Sequence, residues 1–127
     1  MREQLPPPLP RELFSVVNEQ LAALRLDDFR SAYRHAATGV QQKFTLPQYE
    51  RMARVHHDTI ARAHRVEFGD VLIRGSSAAV QVLFFAGDGS ARAFSYSLVR
   101  EDYSWKIAGV EELEYYSRNE RLIGVHI

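Results

Sequence analysis

Apolar positions along the chain change period once, and the change divides it into a helical half and a stranded half. Leu13, Val16, Val17, Leu21 and Leu24 recur at offsets of three, four, eight and eleven, which collects them on one face of a helix. Gln20 stands in the same stripe. Pro6-Pro7-Pro8 and Pro10 precede it. Proline fixes φ and lacks an amide donor, so residues 1–10 read as an extended Pro-rich arm leading into a helix from near Arg11. Asp27-Asp28 offers an N-cap for a second helix with Phe29, Ala32, Tyr33 and Ala36 on its apolar face, ended by Gly39. Val40 to Phe44 reads as a connector or short strand. Thr45, with Pro47 in the first turn and Gln48 three residues after the cap, predicts a third helix running towards Ala63. Tyr49, Met52, Ala53, His56 and Ile60 share its face.

Alternation takes over at Val66. A strand is predicted to Arg74, interrupted at Gly69-Asp70 by a bulge or turn, and three more over Ala78 to Phe85, Ala91 to Val99 and Tyr103 to Val110. Gly87-Asp88-Gly89-Ser90 separates the first two of these three, with Asp-Gly as the central pair of a tight hairpin, and Arg100-Glu101-Asp102 makes a second polar turn. The three strands therefore form an antiparallel meander. Val80, Val82 and Phe84 alternate with Ala79, Leu83 and Phe85, so both faces of the sheet carry apolar residues and neither reads as fully wet. The second face is expected to be covered by a partner or by the tail, in which Val125 and Ile127 alternate around His126 as a short final strand. A homodimer joined through the sheet face is the expected assembly.

Helices followed by strands give an α+β class: three N-terminal helices packed on a curved antiparallel sheet, in a single domain over residues 11–127. Sixteen basic residues balance sixteen acidic ones and are spread along the chain, so no long-range field is available to concentrate nucleic acid or an anionic membrane. Absence of cysteine removes disulfides, thiol nucleophiles and cysteine-bound zinc. Met1 to Pro10 lacks the apolar centre of a signal peptide and no apolar run reaches spanning length, so a cytoplasmic location is expected.

Several stretches, in this order, resemble the nuclear-transport-factor-2-like (SnoaL-like) superfamily, and within it an uncharacterised bacterial branch: Gln20-Leu21-Ala22-Ala23-Leu24, Asp27-Asp28-Phe29, Ala32-Tyr33, Phe44, Leu46-Pro47-Gln48-Tyr49 and Trp105-Lys106-Ile107-Ala108-Gly109-Val110. The resemblance covers roughly Arg11 to Leu113. It implies a cone in which the sheet curls, the helices close it and a pocket opens between them, often in dimers packed through their sheets. The superfamily holds isomerases, cyclases and dehydratases beside non-catalytic binding and assembly modules, so the fold does not select a function. Ketosteroid isomerase needs a tyrosine on the first helix and an aspartate base after the second. The matching neighbourhoods here hold Gln20 and Gln41 or Gln42, and a carboxamide does not shuttle protons near neutral pH.

Among individual residues, His56 interrupts an apolar stripe and titrates near physiological pH, which makes it a candidate general base or ligand contact. The plainer reading is a histidine at the core edge bonded to a backbone carbonyl. His57, Asp58 and His64 do not make a convincing ligand set, and no metal or cofactor is expected. Gln20 and Tyr33 point inward from helix faces, where each polar atom needs a partner. The leading expectation is a binding or assembly module whose pocket takes a small apolar or amphipathic molecule. Gln20, Tyr33, His56 and Gln81 would orient it, and Phe29, Met52, Phe94 and Trp105 would wall it. One alternative is a cyclase- or dehydratase-like enzyme with His56 as base and Tyr33 as donor to an oxyanion. The other is a cone filled by side chains, with a protein-interaction surface on the sheet. No nucleophile motif or phosphate-binding glycine loop supports catalysis.

Overall fold

The computed structural model describes residues 10–114. The arm before Pro10 and the strand expected at Val125 to Ile127 lie outside them. Five helices precede four strands among the described residues: α1 Pro10–Arg25, α2 Phe29–Arg34, α3 Thr38–Lys43, α4 Leu46–Arg54, α5 His57–Arg62, then β1 Ala63–Arg74, β2 Ser77–Ala86, β3 Ala91–Glu101 and β4 Ser104–Leu113. The strands form one antiparallel sheet in the order β1-β2-β3-β4, with the helices on one face. The α+β class and the curved sheet closed by helices are as the sequence predicts.

Helix number departs from expectation, and each departure has a local cause. Val40 to Lys43 belong to a helix rather than to a connector or strand, with Phe44 as its extended C-cap, and Gly39 lies within that helix instead of ending α2. The N-cap position, Ala37, makes no side-chain cap bond, and Glu101 of β3 supplies the missing acceptor: its carboxylate receives Thr38 N at 2.9 Å and Thr38 Oγ1 at 2.9 Å. A cap delivered from 63 residues away leaves no local signature. The expected third helix is two helices. Val55 N and His56 N bond to Met52 O and Ala53 O, three residues back, so the last turn of α4 tightens and the chain turns at His56 (φ −105°, ψ 14°). The capping signals at Asp28 and Thr45 are realised: Asp28 Oδ1 accepts from Ser31 N, and Thr45 and Gln48 form a reciprocal capping box.

Three bulges bend the sheet, the first at His64, between Ala63 opposite Ala86 and Arg65 opposite Phe85. Phe68 pairs with Val82 and Val71 with Val80, so Gly69 and Asp70 together oppose Gln81. On the far side Ser97 pairs with Gly109 and Leu98 with Ile107, which leaves Ala108 as the extra residue of β4. Each extra residue sharpens twist and curves its strand. The β2–β3 hairpin has a three-residue loop, Gly87-Asp88-Gly89, rather than the expected two-residue one. Ala86 N bonds to Ser90 O across it, and Gly89 at φ +90° takes the left-handed position that suits glycine.

Val80, Val82, Phe84, Phe94, Tyr96, Leu98, Trp105 and Ile107 face the helices and bury Leu13, Val17 and Leu21 of α1 together with Ile60 of α5. A second cluster, Ala23, Ala32, Ala36 and Tyr49, joins α1, α2 and α4 through small residues that let the helices approach closely. The sheet margin is stitched to the helical layer by main chain: Ala37 N bonds to Ile107 O and Ile107 N to His35 O, both at 2.8 Å. Lys106 Nζ adds a bond to Arg34 O at 3.1 Å. Replacing Thr45 with Ala removes one half of the α4 capping box and is expected to lower stability by about 1 kcal/mol, read as a reduced urea midpoint with an unchanged m-value.

Candidate functional site

Between the small-residue cluster and the curved end of the sheet the packing leaves a cavity of about 300 Å³. Its walls are apolar: Leu24 of α1, Phe44, Ile60 of α5, and Phe84, Phe94 and Ile107 of the sheet. Met52 and Val110, exposed by 40% and 42%, stand at its mouth. The β4 bulge brings main chain into the lining at Ala108 and Gly109. No Lys, Arg, Asp or Glu lines the cavity among the described residues, and its polar side chains are Gln20, Tyr49, His56 and Tyr96.

Gln20 is 3% exposed and gives its amide nitrogen to Tyr49 Oη at 2.9 Å and to Ala32 O at 3.4 Å. Tyr49 lies on the inward face of α4. Burial away from water pushes its hydroxyl up to about 12, and burial, with a smaller contribution from the neighbouring Tyr49, also raises Tyr96. Both phenols are therefore protonated at neutral pH. His56 owes its place to the turn between α4 and α5, and its ring meets Phe94 edge-on at 5.1 Å and 80°. Beside it, Arg92 grips Glu112 through two bonds of 2.8 and 2.6 Å and also reaches the Thr59 hydroxyl, tying α5 to β3. The Arg92 guanidinium, with a smaller contribution from His56, holds the Glu112 carboxyl below its ordinary value.

The cavity gathers four of the eight residues expected at a ligand site, Gln20, His56, Met52 and Phe94, and not the other four. Tyr33 is turned to the helical layer: its hydroxyl donates to Phe44 O at 2.5 Å and Gln41 O at 3.1 Å, while Gln41 Nε2 returns a bond to Tyr33 O at 2.9 Å. That donor is committed to closing α3, so Tyr33 is not an oxyanion donor in this cavity. Gln81 is on the opposite face of the sheet, where it packs over the β1 bulge and accepts from Asp70 N at 3.4 Å. Trp105 is part of the packed core, and Phe29 lies under the Arg54 guanidinium beside a separate small cleft. His57 faces Asp27 at 3.5 Å whereas His64 rests against Gly87, so these two histidines diverge.

Tyr49, Tyr96, Phe44 and Phe84 are cavity residues the sequence reading did not name as site residues. Tyr49 shares the stripe of Met52 and His56, and Tyr96 has the parity of Phe94, so spacing alone would have found both once Phe94 was placed inside.

A family profile described as a domain of unknown function, DUF4864, matches residues 8–120. The chain belongs to that family. A Campylobacter jejuni protein named as an NTF2-like transpeptidase superposes with a TM-score of 0.60 at 13% identity, over 73% of this chain and 94% of that one. Similar too are a SEC-C motif containing protein from Rhodopseudomonas palustris (TM-score 0.55, 14% identity, 78% and 77% covered) and a protein from a Streptomyces species (0.55, 15%, 97% and 100%). No curated protein matches the sequence. At these identities the likeness is one of fold, and the fold of this DUF4864 chain is the NTF2-like cone. Among the described residues no helix is long and apolar enough to cross a membrane.

Two substitutions separate support from site. Tyr33→Phe removes a bond to main-chain carbonyls and is expected to cost about 1 to 2 kcal/mol in denaturant unfolding without altering the cavity. Tyr49 ionises near its ordinary value of 10.0 when unfolded and at about 12 when folded. Its contribution is thus intact below pH 10 and lost as pH rises towards 12. Unfolding measured at pH 9 and pH 11.5 should show a smaller alkaline loss in Tyr49→Phe than in the parent, by roughly 1 to 2 kcal/mol.

Proposed function

We propose that this DUF4864 domain is a small-molecule-binding module that works as a homodimer through the outer face of its sheet. The observation that carries the reading is the cavity: about 300 Å³, apolar on its walls, with Gln20, Tyr49, Tyr96 and His56 as its polar points. That volume lies at the small end of ligand pockets, and the mixture of many apolar and few polar groups is the composition such pockets have. A cone packed solid by side chains, the basis of the pure protein-interaction reading, does not fit it. Dimerisation draws its support from the outer face, where Leu72 is 55% exposed and Ala79, Phe85 and Val99 are half-buried, while Leu83 and Ala93 of the same face are already covered within the chain.

His56 keeps an enzymatic reading in view, because it combines a titratable ring with a place on the cavity. With Tyr33 engaged elsewhere, that reading lacks its expected oxyanion donor. Binding is the simpler function.

Native mass spectrometry of freshly purified protein, compared with the same sample denatured, is expected to give twice the chain mass plus a removable small molecule. A monomer with no adduct would overturn both parts of the proposal. In a companion variant, Ala53→Trp, a large ring projects from α4 into the cavity. The adduct should be lost while the dimer persists.

A further inference from the structure

The polar end of the cavity is asymmetric in its hydrogen bonding. Gln20 Nε2 contacts both Ala32 O and Tyr49 Oη. A main-chain carbonyl only accepts, so the atom facing Ala32 must be the amide nitrogen, and that same nitrogen donates to Tyr49. The Tyr49 oxygen is thereby an acceptor in this contact, and its own proton is directed away from Gln20. No carbonyl or side chain among the described residues receives it. Tyr96, across the cavity on β3, is 3% exposed and makes no hydrogen bond through its hydroxyl among the described residues. Among the described residues the buried side-chain polar atoms sealed without a partner are His57 Nδ1, Arg100 Nε and Trp105 Nε1, and the Tyr96 hydroxyl is not one of them, so it opens on cavity space. Tyr49 and Tyr96 are near enough to act on each other electrostatically, yet no hydrogen bond joins them.

Resting on the small-molecule reading above, we propose that the cavity selects an uncharged apolar ligand bearing a carbonyl oxygen, which accepts hydrogen bonds from Tyr49 and Tyr96 while Gln20 acts as the positioning residue for Tyr49. Two donors suit the two lone pairs of a carbonyl. The walls disfavour a charged alternative: a buried carboxylate would find no Lys or Arg and only the His56 ring, which already has Glu112 as an electrostatic neighbour, and a buried ammonium would find no Asp or Glu among the lining residues. Without ligand, each inward hydroxyl is left to water in a largely apolar space. A neutral oxygen attached to an apolar body satisfies both hydroxyls and covers the walls in the same step.

Three naphthalenes of similar size test this at pH 7 by equilibrium dialysis: 2-acetylnaphthalene, 2-isopropylnaphthalene and 2-naphthoate. The ketone is expected to bind about tenfold more tightly than the isopropyl compound, the ratio that one net hydrogen bond supplies. Naphthoate should bind more weakly than either. Tyr49→Phe and Tyr96→Phe should each reduce the preference for the ketone while isopropylnaphthalene still binds at least as tightly as in the parent, which also shows that the variant is folded and its cavity intact. Gln20→Leu should reduce the same preference without removing either hydroxyl. Equal binding of ketone and hydrocarbon by the parent protein would overturn the donor pair and leave the cavity reading standing. Preference for naphthoate would overturn it in favour of an anion site. Failure of all three to bind would remove the cavity reading itself, and this proposal with it.

Discussion

Two main-chain hydrogen bonds, from Ala37 N to Ile107 O and from Ile107 N to His35 O, fasten the helical layer to the sheet at one point of β4. One residue further along that strand, at Ala108, the register slips and the strand bends. Trp105 and Leu98 belong to the packed core, and Ile107, Ala108, Gly109 and Val110 line the cavity. A straight β4 would continue pairing in register and carry its side chains to the other face from that point on. The bulge thus falls within the pocket lining, where the main chain at Ala108 and Gly109 forms part of the wall.

Much of this is legible along the chain because the responsible interactions are local. The period of α1, the caps at Asp28 and Thr45 and the interruption of β1 at Gly69-Asp70 all involve residues within a few positions of one another. The NTF2-like fold follows from the order of such segments. What escapes the sequence depends on distant partners. Helix α3 is capped by Glu101 of β3, and once the segment before Phe44 is helical its carbonyls become the natural acceptors for Tyr33. Gln81 is a reasonable site residue on sequence grounds only because alternation separates two faces without saying which is concave. Its place between Val80 and Val82, which face the helices, puts it outside.

Gln20 illustrates how one polar residue in an apolar stripe is to be read. Its position predicts burial, and burial demands partners, as an unmet amide in a core costs about 1 to 3 kcal/mol. The structure answers with Ala32 O and Tyr49 Oη, one from the main chain of a neighbouring helix and one from a cavity side chain. The same amide thus joins α1, α2 and α4 and fixes the polarity of the site. On the proposed binding reading, structural support and ligand recognition are carried by a single group, so a purely apolar substitution at this position would alter both. In a fold shared by proteins of many activities, such dual-purpose residues mark where one member's chemistry is written.

The β1 bulge has a consequence beyond curvature. β1 lies at the margin of the described sheet, and a marginal strand of twelve residues offers main-chain groups on which another chain's strand can grow. The extra residue at Gly69-Asp70 breaks the regular spacing of those groups midway, and Arg65, Glu67, Asp70 and Arg74 distribute charge on either side of the break. Neither half presents a long, flat, uncharged template. The irregularity that bends the sheet therefore also makes this margin a poor template for edge-to-edge pairing.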